Sequence, residues 1–79
     1  MSQRAPHPVE HVLRPLLDPA QEKAELLAQE LQRPQLVRRG FRATIAALEA
    51  ECGPAPVLAA AERLMARIAA ERGLADPLR

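Results

Sequence analysis

The chain has 79 residues and a formal net charge of +1, from 11 Lys and Arg against 10 Asp and Glu. It is therefore the size of one domain, with no global field to draw it to nucleic acid or anionic lipid. A single cysteine closes no disulfide, which points to a reducing compartment, and the longest apolar run, Val57 to Ala61, falls far short of the roughly 18 to 20 residues of a spanning helix.

The amino-terminal residues lack the apolar stretch of a secretory signal, so the cytoplasm is the expected location, without membrane attachment. Apolar residues make up 48% of the chain, but 16 are alanine, beside 12 Leu, 4 Val, 2 Ile and one Phe. That is a small core for a chain whose stability margin is already thin. Burial against a second chain is the expected remedy.

Prolines at 6, 8, 15, 19, 34, 54, 56 and 77 punctuate segments dense in Ala, Leu, Glu and Arg, which is helix composition between breaks. Residues 1–7 read as a flexible arm and 8–79 as a single helical domain, with helices over about 8–14, 19–32, 34–52 and 55–72. The first starts with Pro8 and carries Val9, Val12, Leu13 and Leu16 at helical spacing; Pro15 ends or kinks it. The second has the clearest start signal, Asp18 as N-cap, Pro19 at the first position and Gln21 three residues after the cap. Its inward stripe is Ala24, Leu27, Ala28 and Leu31, with Leu26 on the flank and Glu22, Lys23, Glu25 and Gln29 outside.

Pro34 opens the third helix, with the stripe Val37, Phe41, Ile45, Leu48 and Cys52. Gly40 within it costs about 1 kcal/mol relative to alanine, a cost consistent with another backbone passing close by. Gly53 is the C-cap and Pro54 forces a sharp turn. The fourth helix places Val57, Leu58, Ala61, Leu64, Met65 and Ile68 inward and Glu62, Arg63, Arg67 and Glu71 outward. Gly73 caps it, with Leu74 folding back as in a Schellman stop. No alternating run is long enough for a strand. The expected fold is all-α: a small bundle of three main helices plus a short N-terminal helix, which oligomerisation can complete.

Residues 7–11, His-Pro-Val-Glu-His, match the H-x-x-E-H spacing of one class of zinc peptidase, in which two histidines on one helical face bind the metal and the glutamate is the general base. His7, Glu10 and His11 are thus weak metal candidates. The match spans five residues and lacks a third ligand. Pro8 also restricts His7 to extended conformations, so His7 is not expected to share a helical turn with His11. A helix start is the preferred reading, with His7 in the arm or capping, and Glu10 and His11 on the wet face. No catalytic, cofactor-binding or metal residue is assigned. Cys52 ends a helix and closes its apolar stripe, whereas a reactive thiol wants a helix N-terminus or a nearby cation. A metal- or thiol-dependent enzyme ranks last among the functions.

Charge is unevenly spread. Residues 18–30 carry four acids and one lysine; residues 33–42 carry four arginines, Arg33, Arg38, Arg39 and Arg42, and no acid. Like charges so close repel, so the acidic face of the 19–32 helix, an acidic partner or nucleic-acid phosphate should compensate them. The first is the plainest answer. A helix-turn-helix is disfavoured, because a recognition helix beginning at Ala55 offers mostly Ala, Val and Leu to base edges. One aromatic residue makes no stacking platform.

The alanine-rich faces favour close helix contact. The expected function is a protein–protein interaction module, an adaptor, assembly or regulatory subunit. Arg38, Arg39 and Arg42 form its polar anchor, and Leu26, Leu36, Leu58 and Met65 its apolar contacts. The expected partner is another protein chain, as a homo-oligomer or an acidic partner. The alternative is a nucleic-acid-binding regulator using Arg33, Arg38, Arg39 and Arg42 on phosphates. No cofactor is expected.

Overall fold

The computed structural model describes residues 7–14, 20–71 and 73. The rest of the expected arm, Pro15 and Leu16, the Asp18-Pro19 start signal and the tail with Leu74 lie outside them. Of the described residues 82% are helical, with four α-helices and no strand. The helices are α1 (Pro8–Leu13), α2 (Ala20–Glu30), α3 (Phe41–Cys52) and α4 (Pro54–Glu71), with a 3-10 turn at Pro34–Leu36 between α2 and α3. The small all-α bundle with a short first helix is therefore the fold observed.

Local chemistry explains most boundaries. α1 has Pro8 at its first position, where a missing N–H costs nothing. α2 ends in a Schellman motif: the amide of Arg33 donates to the carbonyl of Ala28 at 2.8 Å and that of Gln32 to Gln29 at 3.0 Å. Gln32 takes the left-handed position at φ 59°, which glycine usually fills. α3 ends on Gly53, at φ 93°, whose amide donates to Glu49 at 2.8 Å. One residue separates α3 from α4, and Pro54 and Pro56 both sit in α4's first turn, where no donor is needed.

The core is one cluster: Val9 and Leu13 of α1, Leu27 and Ala28 of α2, Ile45 and Leu48 of α3, and Val57, Ala60, Ala61, Leu64 and Ile68 of α4. α2, α3 and α4 pack against one another, and α1 lies on α4. Ala24, Ala28, Ala60 and Ala61 are fully buried, so small side chains let the axes approach.

Two expectations fail here. The 34–52 helix is broken, because Val37 is extended and Gly40 is the N-cap of α3 at φ 98°, outside it. The glycine is there for its backbone: nothing lies within 4 Å of where a Cβ would stand, so no neighbouring backbone demands it, whereas a positive φ does. Lys23, expected outside, is only 2% exposed. Its stem lies at the edge of α2's buried face and its Nζ donates to the carbonyl of Leu13 at the end of α1. A lysine reaching the last carbonyls of a helix satisfies one of the acceptors left open there and complements the helix dipole.

Candidate functional site

Two adjoining groups of polar contacts meet at α3: its seam with α1, and the arginine loop that precedes it.

At the seam, His7 has extended backbone (φ −62°, ψ 135°) and caps α1, its Nδ1 accepting from the amide of Val9 at 3.1 Å. The far side of the ring, Nε2, meets the Glu49 carboxylate of α3 at 3.0 Å to Oε1 and 2.9 Å to Oε2. One helical turn further along α1, Glu10 pairs with Arg42 Nε of α3 at 3.3 Å. Arg42, Ile45, Ala46 and Glu49 present one face of α3, and with His7 and Glu10 they line a pocket of about 200 Å³. Glu10, expected on the wet face, is half-buried toward α3; His11 is exposed.

The pentad thus sends its two histidines different ways. His7, held extended ahead of Pro8, turns to α3, and its Nδ1 is engaged by a backbone amide. Among the described residues no group of three His, Cys, Asp or Glu side chains is placed to hold a metal ion. Cys52 is a free, half-buried thiol packed against the core.

The arginine loop is held by two side chains outside it, Thr44 of α3 and Gln21 of α2. The Thr44 hydroxyl accepts from the amide of Arg38 at 2.9 Å and donates to its carbonyl at 3.0 Å. Gln21, on the first turn of α2, accepts from the amide of Gly40 at 2.9 Å and donates to the carbonyl of Arg38 at 3.1 Å. Residues 38–40 are thereby gripped from both sides. Gln21 was legible only as a partner for Asp18, and nothing in the pattern singled out Thr44, which is fully buried. Each acts across the chain, at a separation that periodicity does not record.

The compensation expected for the arginines also changes. Arg42 is answered by Glu10 of α1, and the acids of α2 look elsewhere: Glu30 takes Arg67 at 2.7 Å and Arg63 at 3.3 Å, both from α4, while Glu22 and Glu25 are exposed. The Arg67 hydrogen bond, aided by Arg63 and opposed by burial, holds the Glu30 carboxyl below the usual carboxylate range. Arg38 folds its guanidinium onto the carbonyls of Gln35 (2.9 Å) and Val37 (3.2 Å), and Arg33 reaches the carbonyl of Gln32 at 3.0 Å. Arg39 is exposed and meets no carboxylate among the described residues.

Of the expected apolar contacts, Leu26, Leu36, Leu58 and Met65 are all half-buried, each resting one side on the core. They are spread over α2, the 3-10 turn and α4, so the structure does not join them into one place with the arginines. Among the described residues no helix is long and apolar enough to cross a membrane. Compared with protein families, with curated proteins and with solved structures, the chain matches none.

Proposed function

We propose that the chain is a protein-docking module, an adaptor, assembly or regulatory subunit that works by contact, and that its arginine loop receives an acidic segment of a partner. The supporting observation is the way the loop is held. Four hydrogen bonds with Gln21 and Thr44 hold residues 38–40 in an irregular conformation, and the two arginines they carry are exposed, neither pairing with an acid of α2 among the described residues. A rigid loop loses little entropy when a partner docks, and opposite charge then orients the encounter. Leu36, half-buried on the 3-10 turn next to the loop, adds apolar contact.

Phosphate is the weaker partner. Arg42 is already paired and Arg38 is turned onto carbonyls, which leaves few arginines for the several phosphate contacts that duplex binding needs. Self-association through Leu26, Leu58 and Met65 is the second part of the reading.

A fluorescent glutamate-rich peptide and a short DNA duplex, each titrated at low salt, separate these readings. The peptide is expected to bind and to weaken about tenfold or more when Arg38 and Arg39 both become Glu, by charge reversal at the contact. A peptide that ignores the substitution overturns the acidic-partner reading, and a duplex that binds more tightly than the peptide replaces it with the nucleic-acid one. Sedimentation at micromolar concentration is expected to give a dimer or larger; a monomer removes the self-association part.

A further inference from the structure

α1 is six residues long, too short to hold itself by helix propagation. Its first turn therefore depends on what is attached to it. One ring supplies two of those attachments: His7 Nδ1 accepts from the Val9 amide while Nε2 meets the Glu49 carboxylate. A neutral imidazole has one N–H and one lone pair, and these two partners assign them. An amide donor at Nδ1 requires the lone pair there, so the proton sits on Nε2, where a carboxylate waits. Only the neutral Nε2–H tautomer makes both bonds.

A second proton has one place to go, Nδ1, and there it would face the Val9 N–H donor to donor. The cap is then lost, while the other contact becomes a charge-assisted pair between imidazolium and carboxylate. We infer that His7 is a proton-operated switch that caps α1 and ties it to α3 when neutral, and on protonation keeps Glu49 but releases the first turn of α1.

The charged groups around the ring favour this outcome. Glu49 and Arg42 come from α3 and Glu10 from α1; these three line the pocket with His7, and α4 contributes no residue to it. Arg42 is engaged by Glu10, which leaves Glu49, among the described residues lining the pocket, as the charge that faces the ring and a reason for the protonated ring to stay. Since α1 packs on α4 and Val9 is buried in the core, acid loosens the start of that packing without detaching His7.

Nuclear magnetic resonance of the whole chain from pH 8 to 5, the range over which histidines change charge, tests this directly. At the alkaline end the His7 ring is expected to be the Nε2–H tautomer; the Nδ1–H tautomer overturns the switch without any variant. The Val9 amide resonance is expected to follow the His7 ring with the same midpoint, and its exchange, relative to the intrinsic rate, to rise about fivefold in acid, the factor corresponding to a cap of about 1 kcal/mol. In His7→Asn, which offers a cap acceptor that does not titrate, the Val9 amide is expected to stay flat. A Val9 amide that stays flat while His7 titrates, or that moves identically in His7→Asn, overturns the inference.

Discussion

Single side chains do the joining in this molecule, and two of them carry predictions. Glu30 is the acid of α2 that links it to α4, and its carboxyl is held below the ordinary range by Arg67 and Arg63. The unfolded chain therefore takes up this proton more readily than the folded one. The contribution is complete above the ordinary carboxylate range and fades as pH falls through the lower, folded-state value. Both guanidiniums are more than half exposed, at 59% and 53%, so solvent screening holds the contribution to roughly 0.5 kcal/mol. Thermal melts of Glu30→Gln are expected to lie slightly below the parent at pH 7 and to converge with it near pH 3. Lys23 matters more, because it is buried. Lys23→Met keeps the stem and removes the ammonium, leaving the Leu13 carbonyl without that donor. A loss of about 1 to 3 kcal/mol is expected by chemical denaturation, and an unchanged midpoint would show that the tie between α1 and α2 contributes nothing.

At the scale of elements, positions of positive φ set where helices stop and start, and they give predictions of opposite sign. Gln32 occupies the left-handed C′ position of α2 at φ 59°, a conformation that strains a residue with a Cβ. Gln32→Gly is expected to raise stability by about 0.5 to 1 kcal/mol, because relief of the strain exceeds the added freedom of the unfolded chain. Gly40→Ala is expected to lower stability by about 1 kcal/mol through backbone strain alone, since its surroundings leave the methyl room. Denaturation midpoints of the two variants should therefore move in opposite directions. The Gly40 substitution should also disturb the arginine loop, whose amide at that position donates to Gln21. The boundaries at Pro8, Gly53 and Pro54 were legible because proline and glycine act on their own residue. The break at 37–40 was not, since it rests on Gln21 and Thr44, which replace helical hydrogen bonds with tertiary ones.

For the molecule as a whole, the size of the core decides what it tolerates. Among the described residues, four of the twelve buried apolar side chains are alanines, and domains of this size have only a few kcal/mol to lose. Leu64→Ala, at the centre of α4's buried face with 1% exposure, is expected to cost about 2 to 5 kcal/mol and to abolish a cooperative melt near 37 °C. If self-association supplies part of the stability, the parent's melting temperature should rise with protein concentration, and calorimetry across a dilution series reads this. The inward stripes Ala24-Leu27-Ala28, Ile45-Leu48 and Val57-Ala61-Leu64-Ile68 follow from a 3.6-residue period, which is a local property, as are the stops at proline and glycine. Together they determined that the chain is a small all-α bundle and which faces turn inward. Only the tertiary structure decided that His7 meets Glu49, that Glu10 rather than α2 answers Arg42, and that Lys23 goes inside. Those pairings depend on the angle and offset at which rigid helices pack, and long polar side chains then take whichever neighbour falls within about 3 Å.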